Sequence, residues 1–311
     1  MKEKASAREI LQKYFPIIGL AVVIIFFEIV TGGKLLAPRY LTSLLYEVFT
    51  LMIGTIAMTF LLSQGCLDFS VSAIVAFSAA VAAFAANVNP VLALPVAILA
   101  GLLVGLINGL VHAVLKVTSF IATLAVSYVF TGVVTWLLGS GSKAVPYVML
   151  NWDSVALRLI VMIGFIVIGY LVFEKTRIGK ECKMVGANPE FARQCGVNVK
   201  WVKIRGFMIM GAVCGVVAFF ALIRSATAAS STGSGFTVNA LNALLIGGMP
   251  LVGGATAKMR SAIIGSLIMA VLTVGMNMWG LGVLAQQVVT GVVFLFAIAM
   301  TFDRKNASVI K

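Results

Sequence analysis

Ten long apolar stretches, parted by short polar connections, run almost end to end through the 311 residues of this chain. They centre on 15–31, 41–63, 69–88, 91–114, 118–138, 156–173, 204–224, 239–257, 261–279 and 284–302. Each comes close to the roughly 20 residues with which an α-helix crosses the hydrocarbon of a bilayer. Hydrophobic residues make up 61% of the chain and charged residues 11%, with a mean hydropathy of +1.10. A soluble domain is about a quarter charged, and a water-soluble fold of this length cannot hide so much apolar surface. Lipid is therefore the expected solvent. Backbone polar groups in lipid must be satisfied within each segment, so the expectation is an all-α integral membrane protein. No polar block is large enough for a soluble domain, and residues 1–311 read as one polytopic domain. The first stretch follows basic residues, as in a signal peptide. It is long, and no A-x-A site precedes the turn at Gly32-Gly33-Lys34, so it reads as a retained helix.

The net charge of +13 sits between the apolar runs, where it sets topology. No nucleic-acid-reading motif or basic–aromatic interleaving is visible, and a nucleic-acid partner is not expected. Lys2, Lys4, Arg8 and Lys13 place the N-terminus in the cytoplasm. The segment 174–205 carries Lys175, Arg177, Lys180, Lys183, Arg193, Lys200, Lys203 and Arg205, and belongs on the same side, after six spans. Lys116, Lys258, Arg260, Arg304, Lys305 and Lys311 also fall inside, provided the eighth stretch crosses. The outer connections keep Lys34, Arg39, Lys143, Arg158 and Arg224. The eighth stretch is the weakest: Gly247-Gly248 and Gly253-Gly254 interrupt it and Pro250 breaks it, as in a broken or re-entrant helix. Ten spans with both termini cytoplasmic result. Spans two to five and seven to ten then run in opposite orientation, which fits an inverted repeat. The stretches 100–110 and 264–276 share a small-residue texture, and Gly101, Gly105 and Gly109 have the spacing that lets helix backbones approach closely.

Four segments stand out as candidates for function. In 174–205, Asn188 is placed as an N-cap, Pro189 at the first helical position, Glu190 in the first turn and Gly196 as a stop, giving a helix Pro189–Cys195. Two turns are not stable alone, so the segment is held by its own bundle or by a partner, unless it is merely a topological loop. In Gln64–Ser72, Asp68 either caps the third span, with Phe69 as its first residue, or faces a solute; a carboxylate near lipid is costly unless it is satisfied. Asn108-Gly109 and Val117–Leu124 offer amides and hydroxyls that either glue helices together or line a path for a hydroxyl-rich solute. Thr232–Asn239 is a Gly-rich entry to the broken eighth stretch, either a gate or a plain loop.

Catalytic chemistry is not expected. Cys66, Cys182, Cys195 and Cys214 form no CxxC pair, and His112 is the one histidine, so neither a metal site nor a cofactor site is expected. Phosphate-loop, G-x-S-x-G and H-E-x-x-H patterns are missing from the sequence, as is a carboxylate pair placed for acid–base work.

In these segments the sequence resembles the ribose/xylose/galactoside-type permeases of bacterial binding-protein-dependent ABC importers. Their G-x-(I/V)-D-L-S-V-G is matched by Gly65-Cys66-Leu67-Asp68-Phe69-Ser70-Val71-Ser72. Their N-G followed by F-I-A-T-L is matched by Asn108-Gly109 and Phe120–Leu124. Their T-x-x-G and G-x-N-x-x-A-x-x-x-G-I are matched by Thr176–Gly179 and Gly186–Val197. Their G-Y-E-L-x-A, followed by paired glycines, is matched by Gly235–Ala240, Gly247-Gly248 and Gly253-Gly254. Order and spacing agree over about residues 40–300.

The resemblance implies a permease subunit in a bacterial inner membrane that forms the translocation path for a sugar-like solute. Its implied partners are a second permease copy (identical or paralogous), an ATP-binding ABC subunit that hydrolyses the ATP, and an extracytoplasmic solute-binding protein. It makes the short helix a coupling helix, with Gly186, Asn188, Pro189, Glu190, Phe191, Ala192, Arg193 and Gly196 as candidate ATPase-coupling residues. Asp68, Ser70, Asn108, Phe120, Thr123, Phe236 and Asn239 become candidate path residues. The chain departs from the pattern at Thr237, where an acidic residue is usual, at Asn239, and at Ser72, where the pattern has glycine. Two other readings compete: a self-sufficient secondary transporter or channel, for which Glu28, Glu47 and Asp68 are the available carboxylates, and an integral-membrane enzyme.

Overall fold

The computed structural model describes residues 7–139 and 141–301, with side chains described between 16 and 295 apart from 140. Lys2, Lys4, Arg304, Lys305 and Lys311, and the side chains of Arg8 and Lys13, lie outside what it describes. The helices are α1 (Ala7–Val30), α2 (Pro38–Leu62), α3 (Val71–Val88), α4 (Ala93–Ala113), α5 (Ser119–Leu138), α6 (Val155–Tyr170), α7 (Arg177–Ala187), α8 (Pro189–Gln194), α9 (Val199–Ser225), α10 (Phe236–Ile246), α11 (Met259–Met278) and α12 (Val283–Thr301). A two-stranded antiparallel ribbon, β1 (Ser142–Ala144) with β2 (Thr227–Ala229), sets Lys143 opposite Ala228.

Among the described residues, seven helices are long and apolar enough to cross a membrane: α2, α3, α4 with the turn before it, α5, α6 with the π-turn after it, α9 and α11. The apolar parts of α1 and α12 that are described, Pro16–Val30 and Val283–Leu295, are shorter. The eighth stretch, expected over 239–257, is helical only as far as Ile246. Eleven residues rise about 16 Å, half the roughly 30 Å of hydrocarbon. Gly248, Gly253 and Gly254 all have positive φ and Pro250 has no N–H to donate, so the helix stops and residues 247–258 form a packed turn.

The segment 174–205 also differs from the expected polar loop with one short helix. Its first arm is a helix, α7, and α9 begins at Val199 rather than 204. The signal for α7 lies in the sequence: Thr176 accepts the Ile178 amide as an N-cap (3.2 Å), and Cys182 and Val185 turn inward together with Gly179.

The helices repeat in order. Phe236 at the start of α10 follows Val71 of α3 by 165 positions, Met259 of α11 follows Ala93 of α4 by 166, and Val283 of α12 follows Ser119 of α5 by 164. Packing repeats with them. α4 lies along α9, and its counterpart α11 lies along α2, as a two-fold relation between halves requires. The approach is backbone on backbone. A Cβ on Gly101 would collide with the Gly211 carbonyl, and one on Gly105 with that of Phe207. In the second half, a Cβ on Gly265 of α11 would collide with the Ala243 carbonyl of α10. Without a hydrophobic drive between helices in lipid, such close approach supplies the dispersion contacts that hold a bundle.

Arg158, expected in an outer connection, is instead buried at 1% exposure. It forms a bidentate pair with Asp153 (2.6 and 3.1 Å), donates to the Phe220 carbonyl (3.2 Å) and stacks over Tyr46 at 4.3 Å. Pairing and ring contacts replace the lost water, and the residue ties α6 to α2 and α9.

Replacing Gly211 with valine should lower the melting temperature in detergent sharply, by the equivalent of about 3 kcal/mol, the upper end for overpacking. The same change at Gly132, where a Cβ meets open space, serves as the control. Equal melting temperatures for the two variants would contradict the close-packed α4–α9 seam.

Candidate functional site

The segment α7–α8 is a compact module standing on the ends of several long helices. Asn188 Oδ1 accepts the amides of Glu190 (3.0 Å) and Phe191 (3.1 Å), so α8 is capped by its own sequence. Gly196, at φ +81°, ends it. Glu190, Phe191 and Arg193 are exposed, with Glu190 and Arg193 paired at 3.2 Å, whereas Ala192 is fully buried beneath them. Gly186 also turns inward: a Cβ there would collide with the Ser63 carbonyl at the end of α2. Of the eight candidate coupling residues, then, Ala192 and Gly186 hold the module to the bundle, and Asn188, Pro189, Glu190, Phe191, Arg193 and Gly196 lie on its exposed side.

The anchors are polar and specific. Glu174, past the end of α6, pairs with Lys183 of α7 (2.5 Å) through one carboxylate oxygen and accepts the Met259 amide at the start of α11 (3.0 Å) through the other. Glu181 of α7 pairs with Arg205 of α9. Gln64 donates to Cys182 Sγ (3.2 Å). The Ser63 carbonyl accepts the Gly254 amide (2.8 Å), which brings the turn 247–258 to the same spot. Burial pushes the Cys182 thiol up to about 11 despite the Gln64 bond, so it stays a neutral packing group. Sequence reasoning singled out none of Gln64, Glu174, Glu181 or Arg205 as anchors. Their partners lie up to 118 positions away, a separation that carries no local spacing signal.

A second cluster gathers Asp68, Ser70, Asn108, Thr123 and Phe120. Asp68 is 1% exposed, and its Oδ1 accepts both the Ser70 amide (2.8 Å) and the Ser70 hydroxyl (2.6 Å). Asn108 Nδ2 donates to Ser70 Oγ (2.7 Å), Thr123 Oγ1 accepts the Phe69 amide (3.0 Å), and Ser119 Oγ accepts that of Leu67 (3.1 Å). The connection 63–70 is thus stitched to α4 and α5. Phe120 is half exposed and meets Phe69 edge-on, ring centroids 5.1 Å apart. The expected cap on the third span is corrected here: α3 starts at Val71, and Asp68 forms a turn ahead of it instead of capping from Phe69. Asp68 Oδ2 and Asn108 Oδ1 are buried acceptors with no hydrogen-bond partner among the described residues.

The remaining path candidates sit apart. Phe236 is buried with its ring against Gly54 of α2, and Asn239 is half-buried one turn along α10. They adjoin the α3 start through Ser72, which hydrogen-bonds Thr237 (2.9 Å).

Burial is the largest influence on Asp68, in the connection between α2 and α3; it pushes the carboxyl up to about 6, against the lowering effect of the Ser70 bonds. Between about pH 4 and pH 6 the folded state therefore binds more protons than the unfolded chain, and stability falls as pH rises through that window. The loss reaches up to about 3 kcal/mol. Melting of detergent-solubilised protein should show that decline from pH 4 to pH 6.5, and Asp68→Asn should remove this share of the slope. Parallel pH profiles for the two proteins would contradict it.

The sequence pattern of the family described as branched-chain amino acid transport system / permease component matches residues 40–298. The chain is 29% identical to the ribose import permease protein RbsC of Bacillus subtilis, over 96% of this chain and 95% of that one. It is 31% identical to the L-arabinose ABC transporter permease protein AraH of Azospirillum brasilense, over 89% and 84%. It is 25% identical to the xylose transport system permease protein XylH of Haemophilus influenzae, over 95% and 97%. No solved structure matches it. A many-helix bundle with a separate module standing on its helix ends, matched over most of its length, places the chain in this family of transport-system permease components.

Proposed function

We propose that this chain is the permease subunit of an ATP-driven importer of a pentose-type sugar in a bacterial inner membrane. Both termini and the α7–α8 module face the cytoplasm, where the basic residues of 174–205 favour them. Two copies, identical or paralogous, form the translocation path. An extracytoplasmic binding protein delivers the solute, and a separate ABC subunit hydrolyses ATP. The similarity to permeases named for ribose, arabinose and xylose supports the solute class.

The observation that carries this reading is the construction of α8. A helix of six residues is far too short to persist in water by itself. Here its cap and its buried Ala192 hold it rigid while Glu190, Phe191 and Arg193 face outward. Phe191 is 54% exposed, an apolar side chain with an acid and a base beside it. Such a knob suits a groove on a soluble partner, and the anchors of the adjoining α7 and of Glu174 connect the module to the end of α2, to α9 and to α11. Motion imposed on α8 by closure of the ATPase subunits then tilts both halves of the bundle.

A secondary transporter is less well supported. Glu28, one of its three carboxylates, accepts the Leu36 amide (3.2 Å) just beyond the end of α1 and is occupied with capping that turn. Asp68 is enclosed by Ser70 and its surroundings.

Purification of the tagged chain from its host in mild detergent should retain the ATPase subunit, and Glu190→Arg should remove it by inverting the charge on the exposed face. Retention of the ATPase by the variant, or its loss from both samples under conditions that preserve a known importer, would overturn the docking role.

A further inference from the structure

Like α2, α4, α5 and α11, the helices α3 and α10 start without a side-chain cap of their own. α3 follows Ser70 and α10 follows Gly235, and neither flanking residue caps its helix with a side chain. The first amides of a helix lack intrahelical partners, and here each helix finds one on the other. Ser72, second in α3, donates its amide to Thr237 Oγ1 (2.9 Å). Thr237, second in α10, donates its amide to Ser72 Oγ (3.0 Å). The two hydroxyls share a third bond at 2.9 Å. The residues are 165 positions apart, the same separation as the starts of the two helices, so they are equivalent positions in the two halves.

The contact has two physical consequences. It joins the positive ends of two helix dipoles through uncharged groups, the Asp68 carboxyl being bound to Ser70 ahead of α3 rather than to the shared contact. It also links the halves by interhelical hydroxyl bonds, which are individually weak in membrane bundles. A link of that kind is breakable. Ser72 and Thr237 are, moreover, both positions at which the sequence departs from the permease pattern it resembles. The glycine of that pattern has become a hydroxyl donor, and its acidic residue a hydroxyl partner. A carboxylate at 237 with glycine at 72 would still accept the α3 amide, so the two departures make one matched exchange.

We propose that Ser72 and Thr237 form a neutral latch between the starts of α3 and α10, closed in the conformation described here and opened when these two helix ends separate during transport. They are positioning residues: the pair sets the relation of α3 to α10 and so of the buried Asp68–Asn108 cluster to Phe236. The proposal rests on the transport reading but not on the docking role of α8.

The test uses the complete importer, with its ATPase subunit and binding protein, reconstituted in vesicles. In a Cys195→Ser background, Ser72→Cys with Thr237→Cys is oxidised with copper phenanthroline. The expected result is ready cross-linking without nucleotide, and cross-linking strongly reduced when ATP and orthovanadate trap the closed ATPase. The cross-linked complex should lose ATP-driven uptake of D-ribose, D-xylose and L-arabinose, used as probes, along with sugar-stimulated ATP hydrolysis, and reductant should restore both. Failure to cross-link, or a cross-linked complex that still turns over at the reduced rate, would overturn the latch. A parent complex that takes up none of these sugars, with a double-cysteine variant that still shows nucleotide-dependent cross-linking, would count against the solute class while supporting the latch. A second set of variants guards against misfolding. Ser72→Ala with Thr237→Val should raise basal ATP hydrolysis about threefold, the ratio that one average interhelical hydrogen bond in a membrane supports. Ser72→Gly with Thr237→Glu, which keeps an acceptor for the α3 amide and adds a charge favoured at helix N-termini, should not raise it. Equal basal rates in the two pairs would also overturn the proposal.

Discussion

The carbonyl of Ser63 is the point at which the α7–α8 module meets the membrane bundle. It closes α2, takes the amide of Gly254 and lies directly under Gly186. Three chain segments can converge on one peptide group only where side chains are missing, and glycine stands at 186, 253 and 254. Gly253 and Gly254 also have the positive φ that a turn back onto α2 requires. Charged anchors tie the same module to the bundle: Glu174 reaches Lys183 and the first amide of α11, and Glu181 reaches Arg205 of α9. The short α8 is held here through α7, which is bolted at several points to longer helices.

That arrangement relates the local chemistry to the proposed transport cycle. Close packing makes interiors transmit displacement rather than absorb it. The glycine seams of α4 on α9 and of α11 on α10 leave no compliant side-chain layer between backbones. A force on α8 therefore has short routes into α2, α9 and α11. The starts of α3 and α10 touch through hydroxyls, a contact far easier to open than the seams.

Much of this was legible in the sequence. Hydropathy and basic loops reveal a polytopic bundle, and the spacing of Gly101, Gly105 and Gly109 foretells close packing along α4, though not its partner α9. Asn188, Pro189, Glu190 and Gly196 mark α8 within one residue, because caps and stops are local chemistry. What escaped depends on tertiary contact. The eighth stretch reads as apolar throughout, yet the paired glycines and Pro250 turn its second half into a packed loop. Arg158 sits near the end of a span and reads as an outer charge, until Asp153, Tyr46 and Phe220 close around it. Asp68 reads as a cap, but Ser70 stands between it and α3. Ser72 and Thr237 look like two unrelated departures from a pattern until the fold makes them neighbours.

The most direct measurement of coupling is ATP-driven pentose uptake against ATP hydrolysis in vesicles carrying the assembled importer, with Gly186→Ala compared to the parent. A single methyl at 186 collides with the Ser63 carbonyl while leaving the exposed face of α8 intact. If the module transmits motion through this contact, the variant keeps its ATPase subunit and still hydrolyses ATP, but uptake per ATP falls severely. Uptake and hydrolysis that stay in the parent's ratio would contradict transmission through the Ser63 junction.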